Sequence, residues 1–474
     1  MVPMNPTDRD GSPTRWADLF TDGRFAIVLV LAGGTLLYAM NMYFTAALMP
    51  TIIQDIGGAR HYAWVIIGFV LAAMVGSTFV DRSLDLYGAR SCYVLAFVIF
   101  GLGATANALS STIHLLVFAR VAQGLGGGFL AGLGYAVIRT VMPQRLWARA
   151  TGITASMWGL GTLMGPLTGG LFAEFGAWRW AYGAVAAAAI LLIFVARRAL
   201  PGKGETTSVP HRRPIPVVSM IVLLLAAMTI SVSSFASMLW PMLAIAGAGL
   251  LLLVVFVIIE KRMTTTLLPA AAYERSNPLK WIYLTAAFVC AGVIIENFIP
   301  LFAQRLGGLT PLLAGALGAV LSAGWVIAQM LVVSVEDAAR RRLAIRAGPV
   351  LLASGLAAYG LLQTNEAAMP SIVLWFVALF VAGLGTGIAY PFLSVAAMSS
   401  SPDPAEGRKA AAGLATTQTI AFAVTSSLTG CFLAFGDGNP LASARYLVFG
   451  VAAITALGIV AADLAIRQGA VALR

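Results

Sequence analysis

The chain has 474 residues, of which 59% are hydrophobic and only 10% charged, and its mean hydropathy is +0.89. A water-soluble domain carries about 25% charged residues to cover its surface, so that class is excluded. The apolar runs are continuous instead of alternating every second residue, which excludes a membrane β-barrel. The net charge of +11 would suit a nucleic-acid partner only as a basic patch, and the basic residues follow the loops instead.

Residues 1–24 form a polar tail. The apolar run after Arg24 is longer than a signal-peptide core of about 7–15 residues, which predicts an uncleaved first span. Six spans are predicted near 25–53, 61–80, 91–109, 114–138, 148–174 and 178–196, making an N-terminal six-helix bundle over 25–196. A basic linker at 197–216 precedes an inserted hairpin over 217–262, with spans near 217–236 and 239–260. As one helix that stretch would be about 66 Å long at 1.5 Å per residue, and the serine-rich patch from Ser231 to Ser237 supplies a break. Six further spans near 279–303, 311–335, 345–363, 371–398, 408–435 and 444–466 make a C-terminal bundle over 279–467. The expectation is an all-α integral membrane protein of fourteen spans.

Lys and Arg in short loops mark the cytoplasmic side. With the N-terminus inside, only Arg60, Arg179, Arg305 and Arg445 fall outside, and of the 30 basic residues only Arg120 falls within a span away from its ends. Both termini are therefore expected in the cytoplasm, with the protein in the cytoplasmic (inner) membrane. Cys92, Cys290 and Cys431 are scattered through apolar runs, a pattern of buried packing that fits neither disulfides nor a metal cluster.

An even division into two six-helix halves is the pattern of secondary transporters, whose site lies between the halves near the midplane. Span one carries Tyr38, Asn41 and Thr45 on one face. Span four carries Arg120, Gln123 and Gly124 as a stripe, and an intramembrane arginine is costly and usually functional. Glu296 and Asn297 precede Pro300 in the first span of the second half. Arg120 and Glu296 lie about 10 Å below the outer ends of their helices at 1.5 Å per residue, with Asn41 somewhat deeper, which predicts one shared cavity. Low dielectric disfavours the charged form of a carboxyl, so Glu296 is the candidate proton carrier and Arg120 the group that tunes it. Span five has Gly161, Gly165 and Gly169 at four-residue spacing beside Pro166 and Gly170, a pattern that lets helix backbones approach closely. That crossing is expected between the two halves. Asp81 to Arg90, with Asp85 and Gly88, reads as a charged cytoplasmic turn.

These residues resemble the major facilitator superfamily, in its fourteen-helix drug:proton antiporter branch. The loop motif Gly-x-Leu-x-Asp-x-x-Gly-Arg-Arg/Lys is met at Asp85, Gly88 and Arg90, with Asp81, Ser83 and Ala89 as departures. The span-four motif Arg-x-x-Gln-Gly is present as Arg120, Gln123 and Gly124. The antiporter motif Gly-x-x-x-Gly-Pro-x-x-Gly-Gly is complete at Gly161, Gly165, Pro166, Gly169 and Gly170. Trp178 to Tyr182 is similar to the signature that follows it in this branch. The span-one motif Asp-x-Thr-x-Val-Asn-x-Ala-Leu-Pro aligns on Asn41 through Pro50, so its acid has become Asn41 and its asparagine Ala46. The resemblance implies a major facilitator fold of two six-helix bundles plus the inserted hairpin, with gating and helix packing at the loop and glycine motifs.

The function this implies is proton-coupled efflux of a small amphipathic organic molecule, of the multidrug-resistance antiporter kind, by alternating access. An alternative is uptake of a metabolite or an aromatic vitamin such as a flavin, by proton symport or facilitated diffusion. A membrane enzyme is a third reading, against which His61, His114 and His211 form no acid–histidine cluster. No cofactor or metal is expected, the proton gradient being the drive. The expected partners are the substrate, protons and the bilayer, with no nucleic acid, and the protein is expected to be a monomer.

Overall fold

The computed structural model describes residues 19–21, 24–143, 146–202, 216–236, 238–263, 265–274, 277–332, 335, 337–400 and 404–469. Most of the tail 1–24 and of the linker 197–216, and Ser237 of the serine patch, lie outside the described residues. In lipid every backbone polar group must be satisfied within the segment, and a helix does this without a partner strand. The described residues accordingly form helices and no strand.

In chain order the first helices are α1 (Arg24–Ile56), α2 (Tyr62–Thr78), α3 (Val80–Ala108), α4 (Ile113–Ala136), the single turn α5 (Ile138–Val141), α6 (Trp147–Glu174) and α7 (Trp178–Ala199). The middle pair is α8 (Val217–Ser233) and α9 (Leu239–Arg262). The rest are α10 (Leu279–Val293), α11 (Ile299–Gly307), α12 (Pro311–Val332), α13 (Ala338–Leu362), α14 (Met369–Met398), α15 (Pro404–Ala434) and α16 (Pro440–Arg467). Among the described residues, 11 helices are long and apolar enough to cross a membrane, and α8 is a shorter apolar helix. α6 and α15 are as long but richer in Gly, Ser and Thr.

Two local breaks differ from the predicted spans, each with a covalent cause. The predicted span 279–303 is interrupted by a 3₁₀ turn over Ile294–Asn297 before α11 resumes. Pro300 lacks an N–H, and its ring blocks the carbonyl four residues earlier, which is that of Glu296. The loop motif after α2 is mostly helical: α3 begins at Val80 and is kinked at Gly88, where φ is 74° and ψ is 169°. Only glycine adopts that backbone without strain.

With α10 and α11 taken together and the turn α5 set aside, the helix ends that meet sort into an entry face, where α1 starts, and an exit face, where it ends. Contacts fix both faces. At the exit face Asp55 pairs with Arg179 and Arg445 donates to the Gln363 carbonyl at 2.8 Å. At the entry face Arg90 Nε donates to the Leu200 carbonyl at 2.7 Å, and Arg346 pairs with Asp463 at 2.6 Å.

Helices α1 to α7 pack chiefly as α1 on α6, α2 on α4, and α3 on both α4 and α7. Helices α10 to α16 repeat the theme with α12 and α13 on α14, and α10 and α13 on α16. The two sets meet along α6 with α12, α2 with α15, and α1 with α11. The α8–α9 pair is attached to this body through α8, which packs on α15 and more lightly on α2. Of α9, only Met242, Gly249, Phe256 and Glu260 are buried.

Candidate functional site

The predicted polar residues fall into two buried groups, not one cavity. The first lies inside the α1–α7 set. Arg120 on α4 is 1% exposed and Asn41, Thr45 and Gln123 are 0% exposed. Its Nη1 donates to Asn41 Oδ1 and to Gln123 Oε1 at 2.8 Å. The guanidinium carbon stands 3.9 Å from the centre of the Phe69 ring, a cation–π contact strengthened by desolvation. Gln123 also accepts from Asn107 Nδ2 at 2.9 Å. Thr45 accepts from the Tyr182 hydroxyl at 2.9 Å. Tyr38, one turn before Asn41, stacks on Phe69 at 5.8 Å and meets Trp158 edge-on at 5.4 Å. The stripe of Tyr38, Asn41 and Thr45 thus turns toward α2, α4, α6 and α7.

The second group lies where the two sets meet. Glu296 is 1% exposed and Asn297 is fully buried, both held by the 3₁₀ break. Ser322 on α12 donates to Glu296 Oε1 at 2.7 Å, while Glu296 Oε2 has no hydrogen-bond partner. The Tyr43 hydroxyl, also without a partner, lies within electrostatic range of Glu296. Tyr62 on α2 donates to the Asn297 carbonyl at 2.7 Å, tying α2 to the break. Asn297 Nδ2 donates to the Ile294 carbonyl at 3.3 Å and Oδ1 is unpaired. The expected direct tuning of Glu296 by Arg120 has no counterpart in this arrangement: Arg120 is held by neutral acceptors of its own set, and Glu296 by a serine of α12. α1 separates them, presenting Asn41 to one and Tyr43, two residues on, to the other.

The glycine face also divides. A Cβ on Gly161 would lie 2.7 Å from Ala39 Cβ, one on Gly165 2.5 Å from the Met40 carbonyl oxygen, and one on Gly169 2.5 Å from the Phe44 carbonyl oxygen. Those three glycines let α6 press on α1 within the same set, not across the seam as their spacing predicted. Gly170 and Pro166 make the crossing: a Cβ on Gly170 would meet the Pro311 carbonyl oxygen at 2.7 Å, and the Pro166 carbonyl faces Gly315. The seam is also tied at the exit face by Glu174, whose carboxylate accepts from the Leu312 amide at 3.0 Å. At the entry face Gly88 turns the chain so that Arg90 reaches the end of α7, and Asp85 sits half-buried one turn earlier.

Sequence reasoning missed Ser322, Tyr43, Tyr62 and Asn107. Ser322 was visible as a hydroxyl in an otherwise apolar run. The tyrosines were not, because their rings count as apolar and only the tertiary neighbours expose the role of the hydroxyl.

Comparison with known proteins agrees with this geometry. Residues 31–426 match the sequence profile of the Major Facilitator Superfamily. A probable multidrug-efflux transporter of Mycobacterium tuberculosis (strain ATCC 25618 / H37Rv) is 39% identical over 437 residues, covering 91% of this chain and 93% of the relative. Multidrug resistance protein 3 of Bacillus subtilis (strain 168) is 25% identical over 386 residues, 79% of this chain and 72% of the relative. Among solved structures, a peptide transporter in complex with sulfate superposes with a TM-score of 0.68 at 14% identity, over 94% of this chain and 95% of that one. A D-xylose–proton symporter gives 0.63 at 15%, over 94% and 97%; at such identities the likeness is one of fold. With the profile spanning most of the chain, and helices packed as two facing sets, the protein is a transporter that belongs to the Major Facilitator Superfamily.

Proposed function

We propose that the protein exports a small amphipathic organic molecule in exchange for protons, by alternating access between the α1–α7 and α10–α16 sets. The observation that carries the reading is Glu296: a buried carboxyl at a helix break, on the seam between the sets, with one oxygen unpartnered. A carboxyl there can take and lose a proton as the seam opens and closes, which is the coupling an exchanger needs. The names of the relatives support the direction of transport. The reading carries fourteen spans with it: α10 and α11 count as one, α5 as none, and α8–α9 as a hairpin inserted between bundles at 25–196 and 279–467. The entry face is then cytoplasmic, both termini lie in the cytoplasm, the spans cross the inner membrane, and the protein works as a monomer without cofactor or metal.

Asn41 favours a second reading, uptake or uncoupled exchange, because it stands where the resembling branch has an acid. Reconstitution in liposomes with an imposed pH gradient separates the two. Protons run from the acidic to the alkaline side, so an exchanger concentrates a compound in the acidic compartment and a symporter in the alkaline one. An uncoupled carrier equilibrates it. Accumulation on the alkaline side, or none with any of a panel of amphipathic compounds, would overturn proton-driven export.

A further inference from the structure

A cavity of about 590 Å³ lies between α2, α4 and α8, outside both polar groups, and its volume falls within the ~300–1,000 Å³ typical of small-molecule sites. Its wall is apolar over almost all its length, including Leu71, Val75, Phe118, Val121, Leu224 and Met228. It runs from His61, at the start of α2, along that helix to Val75, about 21 Å at 1.5 Å per residue. That exceeds the ~15 Å depth of one leaflet of hydrocarbon and gives a slot, not a globular pocket.

Its end at the exit face is flanked by His61 and His114, with the Arg60 cation beside Phe235. Phe235, in the turn after α8, is held there by Arg60, which donates to its carbonyl at 2.7 Å. The Trp64 ring stacks on Phe235 at 5.4 Å, and His61 lies 4.8 Å from His114, ring centre to ring centre. Buried Trp64 Nε1 and His61 Nδ1 have no hydrogen-bond partner. Such groups are costly unless something outside the protein satisfies them.

We propose that this slot holds one acyl chain of an anionic phospholipid, with the phosphate taking up Trp64 Nε1 and His61 beside the Arg60 charge. Shape and charge both select that occupant: the slot is long and narrow along the helix axes, and its polar end offers donors and a cation. The lipid fills the gap left where α8 rests only lightly on α2, and so fixes the hairpin against the transporter body.

The test uses the full chain purified in dodecyl maltoside, with dioleoylphosphatidylglycerol or dioleoylglycerol added and retained lipid read by native mass spectrometry. One phosphatidylglycerol should remain per protein, and dioleoylglycerol should wash out. Ala72 also lines the slot, and Ala72→Phe, whose ring would fill it, should abolish retention. Trp64→Phe keeps the stacked ring, removes one donor to the phosphate, and should weaken retention about tenfold. Equal retention of both lipids, or unchanged phosphatidylglycerol retention in both variants, would show ordinary boundary lipid and overturn the proposal. Displacement of the lipid by tetraphenylphosphonium, with Ala72→Phe abolishing binding of that cation, would make the slot a substrate pocket and overturn it equally.

Discussion

Glu296 and Arg120 illustrate how much a single substitution can ask of a buried polar group. Glu296→Gln keeps the shape and the acceptor for Ser322 but removes the titratable proton. The expected outcome is loss of pH-driven accumulation in liposomes, with substrate exchange in the absence of a gradient retained. Wild-type accumulation by this variant would move coupling elsewhere. Asn41→Asp has a different consequence, because Asn41 Oδ1 already accepts from Arg120 Nη1. The new carboxylate would neutralise a guanidinium now held by neutral acceptors, and would add a second acid on α1. Transport should persist with an altered pH profile, measured as initial rate against pH on the proton-releasing side. An unchanged profile would show that the Arg120 group takes no part in coupling. The candidate acid was legible in the sequence as a carboxyl inside an apolar run. Its partner was not, because depth along two helices says nothing about the direction in which each side chain points.

At the scale of elements, the four-residue glycine pattern announced a tight crossing without saying which helix it met. The structure assigns Gly165 to α1 and Gly170 to α12, and this separates two effects. Gly165→Ala places a methyl against the Met40 carbonyl within one set, where overpacking commonly costs about 1–3 kcal/mol. Its melting temperature in detergent should fall. Gly170→Ala places its methyl on the seam that opens and closes in the proposed mechanism. Both methyls meet a backbone carbonyl and should lower the melting temperature, but transport should fall further in Gly170→Ala, and equal transport rates in the two variants would contradict the assignment. Gly88 is a third kind of glycine. Its φ of 74° and ψ of 169° belong to glycine alone, and a side chain there costs about 1–3 kcal/mol. Gly88→Ala should therefore loosen the Arg90 contact with Leu200 and slow transport, read as a lower rate at unchanged expression.

For the whole molecule, the fourteen-span reading makes a labelling prediction. Cys92, Cys290 and Cys431 are buried and free, so the native background is low. Single cysteines introduced at Met238 and at Gly438 should react with a membrane-impermeant maleimide from outside intact cells. One at Glu274, in the loop joining α9 to α10, should not. Reaction at position 274 in sealed cells would invert or break the topology.

Composition and run length determined by themselves that the chain is a helical membrane protein, because lipid leaves no other way to satisfy a backbone over twenty apolar residues. The span order, the break between α8 and α9 and the glycine-rich approach of α6 were equally local properties, carried by hydropathy and by the absence of a Cβ. Which surfaces meet was decided only by tertiary structure. One cavity expected from matched depths became two polar groups on opposite sides of α1, since residues 41 and 43 differ by about 200° around a helix of 3.6 residues per turn. Three of the span-five glycines turned inward to α1 for the same reason, leaving Gly170 and Pro166 to the seam. The unwinding at Glu296 lies between these cases: Pro300 stood in the sequence, yet only the packed fold made its lost hydrogen bond the place where the two helix sets meet.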